Sequence, residues 1–194
     1  MGLSKDELRR AARARRRELA AENPHAAVRA AVHLLDSRLG PSPVTSLYLP
    51  VGSEMDTAPL ADALLERDTE LCLPAVVEQG APLVFRAWRP GQALEPDLLG
   101  TPAPPPSART LVPDLVIAPL LAFDADGNRL GQGGGYFDRT IAALHARGRA
   151  VVVGLAYAGQ EVPSLPAEAH DRPLDAVLTE QGFRLFLRPV PQDV

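Results

Sequence analysis

One cysteine, Cys72, stands in 194 residues, so the chain can form no internal disulfide and cannot assemble a tetrahedral Cys/His metal site. It lies in the apolar run Leu71-Cys72-Leu73-Pro74-Ala75-Val76 and reads as a small buried hydrophobe, not as a nucleophile. No apolar run approaches the roughly 20 residues that cross a bilayer. The N-terminus is charged and has no apolar signal core. A membrane partner is therefore not expected, and the cytoplasm is the expected compartment. A net positive charge is also lacking: 20 Lys and Arg stand against 24 Asp and Glu, a net charge of −4. That argues against nucleic-acid binding whose affinity rests on bulk positive charge, and leaves a local basic site open.

What is present is a globular composition, 46% hydrophobic. The length suits one domain over residues 1–194, expected to act as a monomer. Prolines are many and cluster in residues 81–110. The Pro104-Pro105-Pro106 run is a stiff extended connector, read as a surface crossing within the domain because strand patterns resume beyond it.

Ser4 and Glu7 form a capping-box pattern, which predicts a helix from Lys5 to about Ala21. Arg9, Arg10, Arg13, Arg15, Arg16 and Arg17 crowd its exposed face. Asn23-Pro24 ends it and begins a second helix reaching about Leu39. Strands are predicted at Val44–Leu49, Glu70–Leu73, Leu83–Trp88, Leu115–Ala118, Ala150–Ala156, Asp175–Leu178 and Phe183–Leu187, with helices over residues 58–67 and Tyr136–Arg147. Strands alternating with helices imply an α/β fold: a three-layer, Rossmann-like domain with a mostly parallel central sheet flanked by helices. Ligands of such sheets bind beyond the carboxyl ends of the strands. The segments after Leu47, the loop Asp124–Arg139 and the loop Ala156–Asp171 are the candidate walls.

The segment Asp124 to Arg139 carries the clearest chemistry. Its core reads Arg129-Leu130-Gly131-Gln132-Gly133-Gly134-Gly135-Tyr136-Phe137-Asp138. The glycines let a bulky group approach the backbone amides. A helix start follows, with unpaired N–H groups and partial positive charge, so phosphate is the natural guest. Arg129 adds a fixed cation, and the hard carboxylate of Asp138 suits Mg²⁺. A Walker loop is excluded because no Gly-Lys-Ser/Thr occurs, and the Gly-x-Gly-x-x-Gly fingerprint fails at Tyr136.

The chain resembles the 5-formyltetrahydrofolate cyclo-ligase family over nearly its full length. Four blocks carry the resemblance: Lys5 with Arg9; Tyr48 to Thr57; Ala118 to Asp124 running into Arg129–Gly131 and Tyr136–Arg139; and Gly154–Tyr157 with Gln160, Leu165-Pro166, His170-Asp171 and Asp175–Glu180. The resemblance implies an ATP- and Mg²⁺-dependent enzyme that converts 5-formyltetrahydrofolate to 5,10-methenyltetrahydrofolate, with release of ADP and phosphate; the alternatives are a folate-binding paralogue without turnover, or an ATP-dependent ligase or kinase of the same fold acting on another small molecule. In the implied mechanism the formyl oxygen is phosphorylated and no protein nucleophile is needed, which suits phosphoryl transfer by positioning and charge neutralisation.

Residue by residue, the resemblance puts Lys5, Arg9 and the run Arg129, Leu130, Gly131, Gln132, Gly133, Gly134, Gly135, Tyr136 and Phe137 on ATP. It puts Leu49, Glu54 and Gln132 to Tyr136 on the folate, and Asp138 and Asp171 on Mg²⁺. Arg129, Tyr136 and Asp138 become the expected catalytic groups. Read without the resemblance, Lys5 and Arg9 are an ordinary solvated helix face, Gln160 faces the site, and His170 is a loop histidine. Two departures stand out. Gln132 and Gly134 occupy positions where some members carry basic residues, which shifts charge neutralisation to Arg129, Lys5 and Arg9. The stretch Leu99-Gly100-Thr101-Pro102-Ala103-Pro104 lacks the glutamate of a Gly-Ile-x-Glu-Pro segment.

Overall fold

The capping box at the start of the chain is formed. Glu7 N–H donates to Ser4 Oγ at 3.3 Å, and Ser4 N–H donates back to the Glu7 carboxylate at 2.8 Å. It opens helix α1 (Lys5–Glu22) in a computed structural model that describes residues 4–37, 39–40, 42–148, 150–166, 168 and 171–186. Helix α2 (Ala26–Leu35) stops short of the expected Leu39. The hydroxyl and the amide of Ser37 both donate to Leu34 O and take up a carbonyl of the last turn. Helices α3 (Ala58–Leu65) and α4 (Tyr136–Ala146) lie within two residues of expectation.

In chain order the strands are β1 (Val44–Ser46), β2 (Glu70–Ala75), β3 (Val84–Ala87), β4 (Glu95–Pro96), β5 (Pro102–Ala103), β6 (Thr110–Leu111), β7 (Leu115–Pro119), β8 (Ala122–Phe123), β9 (Arg129–Leu130), β10 (Val151–Leu155), β11 (Ala176–Thr179) and β12 (Gly182–Leu185). The main sheet has the order β12-β11-β10-β7-β1-β2-β3-β6. Its centre, β11-β10-β7-β1-β2, is parallel. The edge strands β12, β3 and β6 run antiparallel. Strand β1 is shorter than expected because the chain beyond it folds back on itself: Tyr48 OH donates to Met55 O, and Thr57 Oγ1 donates to Tyr48 O. Leu187, the expected end of the last strand, lies outside the described residues.

The sheet faces alternate between two cores, as a period of two requires. Along β7, Leu115 and Ile117 join α2 and α3 through Ala30, Leu34, Leu60 and Leu64. Val116 and Ala118 join Ile141 and Leu144 of α4 on the other face. Three layers result. Each buried leucine, isoleucine or valine among them contributes roughly 1.5–3 kcal/mol relative to exposure. Cys72 is completely buried in the second core, and burial pushes its thiol up to about 12.

Helix α1 is placed differently. Leu8 and Ala12 pack on a small cluster of Leu121, Ala122 and Leu130, which belongs to the β8–β9 hairpin. Leu19 anchors the far end in the first core. The helix therefore lies alongside the glycine loop that follows β9. Among the described residues, no helix is long and apolar enough to cross a membrane.

Candidate active site

A cleft of about 420 Å³ opens beyond the carboxyl ends of β1, β2 and β7, where such sheets bind ligands. Its lining includes Arg9, Leu49, Glu54, the whole run Arg129 to Asp138, and Asp171. Every nominated residue but Lys5 thus faces one space. Lys5 sits one contact behind, with its Nζ 3.2 Å from Asp171 and 2.9 Å from Glu168. Burial pulls the Lys5 ammonium down in pKa, but its hydrogen bonds to Glu168 and Asp171, with their charges, outweigh it and leave it above the ordinary lysine value. A second hollow of about 580 Å³, around Trp88 and Arg109, holds none of these residues.

The segment from Asp124 to Arg139 divides in two. Asp124 is buried and organises its own turn, accepting from the N–H groups of Asp126 and Asn128, the Asn128 amide and Leu165 N–H. That half is scaffolding. The other half, residues 131–135, borders the cleft. Among the described residues, none of its backbone N–H groups donates a hydrogen bond, while cations take up three of its oxygens. Arg9 Nε donates to Gly131 O at 3.2 Å. Arg13 donates through two nitrogens to Gln132 Oε1 at 3.1 and 2.9 Å. Arg139 Nη2 donates to Gly134 O at 2.8 Å and lies 4.9 Å from the Tyr136 ring centre.

Two glycines of the loop have a visible physical reason. Gly133 holds φ +108°, and a Cβ there would meet Arg9 Cζ at 3.2 Å. Gly135 holds φ +66°, and a Cβ there would meet Arg139 Nη1 at 2.9 Å. Both leave room for arginine as well as permitting left-handed backbone. The result is a concave row of donors backed by guanidinium groups, the electrostatic shape of an anion site.

Arg129 and Asp138 meet across the loop, Nη2 to Oδ1 at 2.9 Å, with side chains 5% and 17% exposed. Asp138 Oδ1 also accepts from Arg172 N–H at 3.1 Å. Arg129 Nε and Arg139 Nε are buried with no hydrogen-bond partner among the described residues. Asp138 and Asp171 both border the cleft. Among the described residues, no group of three or more His, Cys, Asp or Glu side chains is placed to hold a metal. A divalent cation would need ligand oxygens beside these two carboxylates. That arrangement suits Mg²⁺, which is commonly held by one or two carboxylates plus substrate phosphates.

The opposite wall is built around Glu54. Its Oε2 accepts from Val51 N–H at 3.0 Å, and its Oε1 pairs with Arg16 Nη1 at 3.2 Å. Arg16 corrects the reading of α1 as a solvated arginine face: it is only 5% exposed and also donates to Ser53 Oγ and Leu120 O, each at 3.2 Å. Lys5, Arg9, Arg13 and Arg16 are spaced four, four and three residues apart, so they share one helix face. That spacing was the signal that could have found Arg13 and Arg16. Tyr48, buried beside Glu54, has its phenol pushed well above the ordinary value, first by burial and then by the Glu54 charge.

Gln160 does not face the cleft. It is buried, donates to Leu120 O and Leu121 O, and accepts from Tyr157 N–H, so it fastens the chain after β10 to the end of β7. His170 lies outside the described residues. Leu99, Thr101 and Pro102 of the segment without the glutamate form part of the cleft wall, and Ala103 is buried. The wall's own carboxylate, Asp97, accepts from the N–H groups of Val76, Leu99 and Thr101 and fixes that turn.

The chain is similar to known proteins in sequence and in shape. The model of the 5-formyltetrahydrofolate cyclo-ligase family matches residues 2–180. The 5-formyltetrahydrofolate cyclo-ligase of Mycolicibacterium smegmatis is 35% identical over 148 residues, covering 73% of this chain and 75% of the relative. The Escherichia coli K12 protein of that name is 35% identical over 139 residues, covering 69% and 76%. A 5,10-methenyltetrahydrofolate synthetase of Aquifex aeolicus shares the shape with a TM-score of 0.76 at 29% identity, covering 99% of this chain and 97% of that one.

Proposed function

The chain belongs to the 5-formyltetrahydrofolate cyclo-ligase family and is an enzyme of that family, and from that premise we propose that its cleft binds Mg·ATP and 5-formyltetrahydrofolate and joins them through phosphorylation of the formyl oxygen. The observation that carries this reading is the pairing of two unlike walls in one cleft. Unbonded amides backed by Arg9, Arg13 and Arg139 face a carboxylate held by Arg16.

On this reading the triphosphate lies along residues 131–135, with Lys5 and Arg9 adding charge and Arg129 beside the transferred group. The pterin lies against Leu49, with its amino group and ring N–H donating to Glu54 as a bidentate pair. Tyr136 and the loop backbone border both substrates. Asp138 and Asp171 would hold Mg²⁺, which when bound neutralises phosphate charge.

The chemistry then needs no protein nucleophile. The formyl oxygen attacks the γ-phosphorus and ADP leaves. The formyl carbon, now bearing the phosphorylated oxygen, is an iminium electrophile. The neighbouring nitrogen attacks it and loses its proton. The C–O bond breaks, and inorganic phosphate departs with the former formyl oxygen. What this chain supplies is alignment and a field that favours charge migrating toward the leaving ADP. On the same reading it works as a monomer, as one domain over residues 1–194, in the cytoplasm.

The test is a purified-protein assay with Mg·ATP. Phosphate release should depend on added 5-formyltetrahydrofolate, with a methenyl absorbance band appearing in parallel. Absence of the methenyl product at saturating Mg·ATP would overturn the proposal.

A further inference from the structure

We infer that Arg16 is a positioning residue for the folate wall: it holds the Glu54 carboxylate in the orientation that a donor pair on the ligand requires. This rests on the reading of Glu54 as the pterin acceptor.

Both oxygens of Glu54 are already held, Oε1 by Arg16 and Oε2 by Val51 N–H. A carboxylate accepts about four hydrogen bonds, so lone pairs on both oxygens remain for a ligand in the cleft. Holding both oxygens fixes the plane of the group, and a fixed plane spares a bidentate ligand the entropy of orienting it. The guanidinium is itself set by Ser53 Oγ and Leu120 O, so Glu54 is referenced to α1 and to the end of β7 at once.

Anchoring of α1 does not explain the pair. Leu8, Ala12 and Leu19 already anchor the helix through apolar contacts. A buried ion pair is a poor source of net stability, because desolvation offsets its attraction. Its side chains are 6% and 7% exposed, deep enough for that cost to be felt. Two turns earlier on the same face, Arg9 holds the glycine loop at Gly131 O. One rigid helix therefore registers the donor wall and the acceptor wall against each other.

The experiment is calorimetric titration of 5-formyltetrahydrofolate and of ATP, separately, into wild type, Arg16→Met, Glu54→Gln and the double variant, each first checked for fold by circular dichroism. Arg16→Met should weaken folate binding roughly tenfold, a size common for residues in direct contact. ATP binding should stay within about twofold, since distant sites act independently. In the Glu54→Gln background, Arg16→Met should add less than about twofold to the folate loss, because the partner it acts through is already altered. Equal losses in both backgrounds, or an ATP loss as large as the folate loss, would overturn the inference. If Arg16→Met does not fold, Arg16→Lys replaces it in the same comparison; lysine keeps the charge but not the planar fork. Wild type that binds ATP but no 5-formyltetrahydrofolate overturns the reading of the cleft itself, and the Arg16 assignment with it. Wild type that binds folate while the coupling is absent overturns the Arg16 assignment alone.

Discussion

The two walls of the cleft follow opposite plans. The wall after β9 has three oxygens held by cations and its donors open: Arg9, Arg13 and Arg139 take Gly131 O, Gln132 Oε1 and Gly134 O, while the amides of residues 131–135 stay unbonded within the described protein. The wall after β1 centres on an acceptor, the Glu54 carboxylate, fixed by one cation and one amide. A donor wall suits a polyanion, and an acceptor wall suits a ring edge rich in N–H. The two meet at one cleft because α1 holds both. The cations of that helix orient loops as well as add charge.

The strongest way to break this division is at the ion pair inside the donor wall. Arg129→Ala and Asp138→Asn should each lower kcat by about 10²–10³-fold, the scale for losing one preorganised charge-stabilising group. Steady-state assays on variants shown to be folded by circular dichroism check this, and wild-type rates in both would remove the loop from the mechanism. Glu54→Gln should sharpen the contrast by acting on one substrate only. The KM for 5-formyltetrahydrofolate should rise roughly tenfold or more, as a charged hydrogen-bond acceptor is lost, with the KM for ATP nearly unchanged. Equal changes in both KM values would deny that the walls are specialised.

Two glycines of the donor wall give a smaller, internal comparison. Gly133→Ala forces a side chain into φ +108° against Arg9, whereas a Cβ at Gly131 meets open space. The first should cost about 1–3 kcal/mol in urea unfolding, the second almost none. Comparable losses would mean the loop is not held by Arg9. The least effect is expected at Cys72, which lies outside both walls. With the thiol buried and pushed up to about 12, labelling at about pH 8 should wait for unfolding. Rapid labelling of the native protein would show that the second core opens.

Much of this was legible in advance. The parallel sheet announced itself as short apolar runs at residues 115–118 and 150–156, and the capping box marked α1. The two-residue strands β4, β5, β6, β8 and β9 had no signal, because strands so short carry no periodicity. Within the cleft, the glycine loop and Asp138 were visible because glycine runs and helix starts have local chemistry. Arg16 was legible only through its spacing with Lys5, Arg9 and Arg13; its pairing with Glu54, distant in sequence, arises only through the fold. Gln160 was misplaced for the same reason, since its partners at Leu120 and Leu121 lie across the sheet end. Asp124 belongs to the same stretch of chain as the loop, yet among the described residues its carboxylate serves only its own turn and Leu165.

The central claim is that the two walls bring a formyl oxygen to a γ-phosphate. Turnover of 5-formyltetrahydrofolate carrying oxygen-18 in the formyl group, followed by mass spectrometry of the released phosphate, tests it most directly. The account predicts that the label appears in inorganic phosphate, one atom for each methenyl product formed. Unlabelled phosphate accompanying full methenyl formation would contradict it.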